Sequence, residues 1–547
     1  MPKMFRFLLL CFTFGEVLFA QSHAPASGKT AGLSLTAVGR QHHPIHTRNR
    51  EAQDYFDQGI TLVYGFNHEE AARAFAKAAQ LDPASPMPLW GIALAVGPNY
   101  NLDVDRDREK QAFEAIEKAQ KLAEGAPRVE QDYVSALAAR YSGRADPDYK
   151  KLAQDYAARM RELAKKYPED LDAATLFAES LMNLNPWKLW SADGAPGENT
   201  LEIVAVLESV LARDPMHAGA NHYYIHAIEA SSSPQRALPS AARLDELVPK
   251  AGHLVHMPAH IYSRVGYFSQ ASESNVKAIE ADKDYAREAE RSGSLYDLMY
   301  HSHNEHFLAF AAAMEGRYAE ARRVAGGMER RLLPHAEMMP MLDAFLWTPI
   351  WVDLRFAKWQ EILARPEPPA GRKAPHLMWR YSRTLAYLGQ GQRSKAEAEL
   401  ALYHGEAGSL PKESPIGQMN PNEAMLLVMN EVLAAKLDAA KGGTESAIRH
   451  WRQAAEAQDK LNYTEPPDWY YPVRESLGAQ LLGSGKSKEA EEVFREDLRR
   501  NPRNPRSLFG LKESLAAQHL DNDAAWVERE FSKAWKNADT ALKIGDL

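Results

Sequence analysis

Two pairs of histidines with the same internal spacing recur in this chain, 34 residues apart. His222 and His226 form the first pair, in the segment NHYYIHAIEAS, and His256 and His260 form the second, in HMPAHIYSR. Residues four apart lie on one face of an α-helix. A helical face that returns after about 34 residues is typical of stacked helical hairpins, in which each repeat contacts its neighbours. The spacing therefore predicts an all-α solenoid with histidines at equivalent positions of successive helices.

The first 50 residues predict an exported protein. Residues 1–20 combine a basic start at Lys3 and Arg6 with an apolar run, which is typical of a signal peptide; an uncleaved anchor is the alternative, although the run is short for a bilayer. The only cysteine, Cys11, lies in this segment, which excludes disulfides and thiolate ligands from the mature chain. We therefore expect a periplasmic or secreted protein. Residues 21–50 form a polar linker in which three histidines are expected to be exposed, namely His42, His43 and His46.

The composition is that of a folded protein without a nucleic-acid partner. The chain has 547 residues, of which 45% are hydrophobic and 25% charged, and its formal net charge is −8. No basic block is present, which argues against nucleic acid and anionic membrane surfaces. No other apolar run reaches membrane-spanning length, so no transmembrane segment is expected in the mature chain.

Two segments carry the small, aromatic and proline residues of a helical repeat in the same order. They resemble the tetratricopeptide family, which implies an α–α superhelix of helical hairpins. We expect an N-terminal solenoid over 51–364 and a C-terminal one over 376–547, separated by a Pro/Gly-containing stretch. The three histidine segments, with HNEHF as the third, also resemble those of secreted bacterial tetratricopeptide proteins, which implies fold and compartment only. The matching residues are Gly59, Ala71, Phe75, Ala78 and Pro83, then Leu477, Gly478, Ala490, Phe494 and Pro502.

The repeat register places the histidines on one face of three neighbouring helices. Ala237, Ala271 and Ala321 fit the twentieth position of successive repeats, which puts the histidines at positions 2, 5 and 9 of the first helices. The resemblance implies that this face lines the concave groove. The residues expected to converge there are His222, His226, Glu229, His253, His256, His260, His303 and His306.

A transition metal is the ligand that best explains such a group. Clustered imidazoles repel one another when charged, and neutral imidazole is the commonest transition-metal ligand. A set rich in imidazole and free of thiolate suits copper first, with iron or zinc as alternatives. Glu229 is the candidate catalytic carboxylate, as a further ligand or as a base.

These residues predict an oxidoreductase that uses copper or iron on a small organic molecule or peptide. Three alternatives stay open: a metal-dependent hydrolase, histidine acid–base catalysis without metal, and a non-enzymatic scaffold that binds a peptide or protein partner. Trp347 and Trp351, four apart in the next repeat, would line the groove or belong to the core.

Overall fold

The computed structural model describes residues 41–103, 105–288, 296–369, 371–412 and 417–547, and the signal peptide, Cys11 and residues 21–40 of the linker lie outside them. The described residues form helices and no strand, as the sequence predicts, and two isolated bridges are the only sheet-like pairings among them. The helices are α1 (Arg50–Tyr64), α2 (His68–Leu81), α3 (Met87–Val96), α4 (Arg106–Ala123), α5 (Arg128–Ala138), α6 (Tyr149–Lys166), α7 (Leu171–Met182), α8 (Thr200–Arg213), α9 (Ala218–Ile228), α10 (Leu238–Leu247), α11 (Gly252–His256), α12 (Pro258–Arg264), α13 (Phe268–Glu288), α14 (Ser302–Met314), α15 (Tyr318–Leu332), α16 (Asp343–Leu346), α17 (Thr348–Arg355), α18 (Trp359–Leu363), α19 (Lys373–Gly389), α20 (Arg393–Ala407), α21 (Asn422–Ala440), α22 (Thr444–Gln458), α23 (Val473–Gly483), α24 (Ser487–Arg500), α25 (Pro505–Ala516) and α26 (Asp521–Ala534).

Consecutive helices pack against one another along the chain, and the repeat residues show why. The Phe75 ring of α2 fills the space left by Gly59 of α1 and Gly91 of α3, where an added Cβ would lie 2.5 and 2.4 Å from it. Phe494 of α24 sits in the same way between the glycines of α23 and α25. An aromatic ring between two glycines lets three helices approach closely, and this contact builds the helical-hairpin solenoid.

The hydrophobic core forms two large clusters, and α13 contributes residues to both. One spans residues 45–296 and the other residues 268–547. Trp347 and Trp351 belong to the second cluster and are buried, so they are core residues there. Helices α18 and α19 lie on either side of the expected boundary, and both contribute residues to the second cluster. The domain boundary expected within residues 365–375 stays a prediction.

The end of the expected linker packs on the solenoid. His43 is buried, and its Nδ1–H donates to the Asp172 carboxylate of α7 across 2.8 Å. The expectation that His43 is exposed is therefore wrong, because its side chain is hydrogen-bonded to a buried carboxylate. His42 and His46 are exposed as expected. None of the helices described here is both long and apolar enough to cross a membrane.

Candidate metal centre

The predicted histidines lie on four short helices that meet where the two core clusters join. His222 and His226 are on α9, His253 and His256 on α11, His260 on α12, and His303 and His306 on α14. All are buried except His303, which is half-buried.

The structure differs from the open groove expected from the repeat register. The Phe66 ring lies 4.6 Å from the His222 ring, and Tyr100 lies 5.4 Å from His226. Glu465, from the segment between α22 and α23, contacts the His260 Nδ1 atom. These side chains close the site, so the imidazoles form a buried cluster.

A first group of three imidazoles consists of His222, His226 and His253. One nitrogen from each lies within 4.8 Å of the other two. The His222 Nδ1–H donates to the Tyr64 carbonyl at 2.5 Å, and the His226 Nδ1–H donates to the Glu229 carboxylate at 3.0 Å. Both Nε2 atoms are therefore bare lone pairs, since a neutral imidazole carries one proton. Neither Nε2 atom, and neither nitrogen of His253, has a hydrogen-bond partner among the described residues.

A second group consists of His256, His260 and His303, with ligand atoms again within 4.8 Å of one another. The Asn275 amide donates to the Ala271 carbonyl, so its oxygen faces the His256 Nδ1 atom at 2.7 Å and accepts a hydrogen bond from the Nδ1–H. The His260 Nδ1–H faces the Glu229 carboxylate at 2.6 Å.

The remaining contact in the second group requires a proton or a metal ion between the two rings. With both Nδ1 atoms protonated, the bare Nε2 atoms of His256 and His260 face each other at 2.7 Å. Two lone pairs at that distance repel, unless a proton or a metal ion lies between them.

Glu229 links the two groups. One of its oxygens accepts from His226 and the other from His260, so both imidazoles turn their Nε2 atoms away from the carboxylate. A carboxylate that accepts from the Nδ1–H of a ligating histidine is the usual outer partner of such ligands, because it fixes the ring and raises its basicity. Burial raises the pKa of Glu229.

Electrostatics keep most of the imidazoles neutral. Burial, followed by the neighbouring histidines, holds the pKa values of five of them well below 6.5, which suits metal ligation. These are His222, His226, His253, His256 and His303.

His260 is the exception. Burial lowers its pKa, but the Glu465 and Glu229 carboxylates outweigh burial and raise it to about 10. Burial raises the pKa of Glu465 to about 7. A proton on His260 is therefore the alternative to a metal ion in the second group.

His306 lies outside both groups. Its ring stacks on Tyr470 at 5.8 Å and packs edge-on against Phe345 at 5.6 Å, and burial lowers its pKa to about 3. Glu465 is a site residue that sequence reasoning missed. It lies almost 160 residues beyond His306 and follows no repeat pattern, so no local signal marks it.

Comparisons with known proteins add little to this description. No protein-family model and no curated protein matches the chain. Among solved structures, the human IFIT1 dimer with m7Gppp-AAAA is 12% identical with a TM-score of 0.33, over 90% of this chain and 91% of its own. Yeast Tom70 is 12% identical with a TM-score of 0.28, over 88% and 90%. The APC/C hetero-tetramer Cut9–Hcn1 is 14% identical with a TM-score of 0.25, over 90% and 94%. Similarity this low says nothing of what the present chain binds.

The class that the fold and site define is thus a tetratricopeptide-like α–α superhelix with a buried histidine cluster. The helical hairpins and the phenylalanine–glycine contacts between them establish the superhelix.

Proposed function

We propose that this chain is an exported metalloprotein that holds two transition-metal ions, each on three imidazoles. The first ion would bind the group of His222, His226 and His253, and the second the group of His256, His260 and His303. The observation that carries the proposal is the set of four unpartnered ring nitrogens in the first group.

The energetic cost of that set favours a metal ion. A buried polar atom without a partner costs about 1–3 kcal/mol, and the first group holds four such nitrogens. An ion bound to three of the nitrogens would remove most of the cost, and their low pKa values keep them free of competing protons.

The donor set favours copper, with iron or zinc as alternatives. It consists of imidazole nitrogens without thiolate, and copper(II) binds nitrogen sites most tightly among the divalent first-row metals. The reaction we propose is a two-electron oxidation of a small organic molecule, with dioxygen as the oxidant. The substrate loses two electrons and two protons, and dioxygen gains both to give hydrogen peroxide. Glu229 serves as the positioning residue for His226 and His260, because its two oxygens are occupied by their N–H groups.

Metal analysis of the purified protein tests the proposal. Protein produced in metal-replete medium should contain about two ions per chain. His222→Ala should lose the first ion, whereas His68→Ala should lose none. His68 is a matched control because it also donates from Nδ1 to a backbone carbonyl and has an unpartnered Nε2 atom, yet it belongs to neither group.

Two outcomes would contradict the proposal. A metal content well below one ion per chain would mean that a proton on His260 satisfies the second group. The chain would then be a scaffold without a metal centre. Tightly bound zinc as the native metal, with no dioxygen consumption on any substrate tried, would refute the oxidation and favour hydrolysis.

A further inference from the structure

The hydrogen bond between His222 and Tyr64 sets the orientation of a proposed metal ligand. The His222 Nδ1–H donates to the Tyr64 carbonyl, which leaves the Nε2 lone pair for the ion. Tyr64 is the last residue of α1, where the final carbonyls of a helix have no partner within it and can accept from a side chain. The orientation of the His222 ring therefore requires that the end of α1 and the helix α9 keep their relative positions.

The Asp172 carboxylate of α7 holds the end of α1. The Tyr64 hydroxyl donates to the Asp172 Oδ1 atom at 2.5 Å. Both side chains are buried, so bulk water does not compete for this bond. The Tyr64 ring also packs against α9, where a Cβ added to Gly219 would lie 2.5 Å from it. A change at Asp172 would therefore shift the residue whose carbonyl orients His222.

The same carboxylate holds the start of α9 through His217. The Ala220 N–H donates to the His217 Nδ1 atom at 3.1 Å, so the His217 side chain caps α9. A neutral imidazole with a lone pair on Nδ1 carries its proton on Nε2, and the His217 Nε2 atom faces the Asp172 Oδ1 atom at 3.2 Å. Asp172 thus fixes the cap of the helix on which His222 and His226 lie.

The remaining donors to Asp172 come from the segment that precedes α1. The His43 Nδ1–H donates to the Asp172 Oδ2 atom, and the Gln41 amide donates to Oδ1 at 3.2 Å. The neighbouring Asp170 carboxylate accepts from the Tyr133 hydroxyl and from a backbone N–H of α7. His43, Asp170 and Asp172 are spaced closely enough to hold an ion, but their oxygens already accept hydrogen bonds. This favours a role for Asp172 as a hydrogen-bond acceptor that joins α1, α7 and α9.

We propose that Asp172 is the residue that positions His222 for the first metal ion, because it holds both partners of the His222–Tyr64 hydrogen bond. The inference rests on the proposed function for the ion itself. Asn275 and Glu229 orient the His256 and His260 rings of the second group instead. The loss of Asp172 should therefore affect one ion and not the other.

A competition titration of Zn²⁺ against a chelator of known affinity tests the proposal on full-length Asp172→Asn. The first ion, assigned by its loss in His222→Ala, should bind about tenfold more weakly, while the second should be unchanged. This is the low end of the range for an outer partner, because the carboxylate acts through Tyr64 and His217. Tyr64→Phe removes the hydroxyl and keeps the ring, and should weaken the first ion two- to tenfold, about the effect of one hydrogen bond.

Glu475→Gln is the matched control for loss of a buried carboxylate. Glu475 is also buried, and its carboxylate pairs with the Arg355 guanidinium at 3.3 Å in the second core cluster. Both ions should bind to this variant as they do to the unmodified protein.

Proton NMR of the metal-free protein gives a readout that a general loss of stability does not move. The N–H proton of an imidazole in a short, buried hydrogen bond resonates far downfield, and the signal that is missing from His222→Ala identifies the His222 proton. In Asp172→Asn and Tyr64→Phe this signal should move upfield or disappear through exchange with water. In Glu475→Gln it should stay in place.

Equal weakening of both ions in Asp172→Asn would overturn the proposal, as would an unchanged His222 signal in both variants. Tyr64→Phe keeps the test decisive if Asp172→Asn does not fold. Two bound ions with unchanged affinities in both variants would refute only the positioning role. An unmodified protein that binds no metal would refute the proposed function, and the His222 signal would still decide whether Asp172 positions the ring.

Discussion

Replacing Asn275 with leucine should weaken the second metal ion while leaving every proposed ligand in place. Asn275 is fully buried, and its oxygen fixes the proton of His256 on Nδ1. Without that acceptor, His256 can move its proton to Nε2 and donate to His260, which satisfies the 2.7 Å contact without metal. Loss of such an outer partner typically costs 10- to 100-fold in metal affinity, or about 1.4–2.7 kcal/mol.

A competition titration of Zn²⁺ against a chelator of known affinity measures this effect. The second equivalent should bind 10- to 100-fold more weakly in Asn275→Leu, while the first should be unchanged. Asn422→Leu is the control, since Asn422 is also buried but lies at the start of α21, where its amide donates to the Pro411 carbonyl. Equal affinities of both equivalents in Asn275→Leu and the unmodified protein would refute the tautomer argument.

Three further predictions concern stability and processing. Burial raises the pKa of Asp172, but hydrogen bonds from His217 and His43 outweigh burial and lower it from 3.8. The stabilisation that this shift gives the folded protein is complete above pH 3.8. It is lost as the pH falls towards the pKa that Asp172 has in the folded state. Asp172→Asn should thus be about 3–5 kcal/mol less stable at pH 7, with the difference shrinking below pH 3.8 in chemical denaturation. Gly478→Ala should cost about 1–3 kcal/mol, because the new Cβ would lie 2.4 Å from a phenylalanine ring, whereas Gly483→Ala, with nothing within 4 Å, should be neutral or slightly stabilising. Intact-mass measurement of the exported protein should place its first residue between 21 and 27, and an intact first methionine would contradict a cleaved signal peptide.

The solenoid was predictable because its determinants are local. Glycine, alanine and phenylalanine recur at fixed spacings, and the structure places Phe75 against Gly59 as that spacing requires. The pairing of His222 with His226, and of His256 with His260, follows from the helical period in the same way.

The arrangement of the site was less predictable because it depends on contacts across the fold. The repeat register places His306 at the same position as His222 and His256, yet His306 stacks on Tyr470, whereas His253, from a different repeat position, joins the first group. The closure of the groove depends on Phe66 and on Glu465, which are far apart in sequence. Burial of His43 likewise requires the buried Asp172, which no spacing connects to it.

Anomalous diffraction from crystals of the metal-replete protein tests the central claim most directly. Two peaks are expected, one within about 2.0–2.1 Å of the Nε2 atoms of His222 and His226, and one at the same distance from those of His256 and His260. The account would be contradicted if neither histidine group showed a peak. It would also be contradicted if the peaks lay only at the separate cluster of His43 with Asp172.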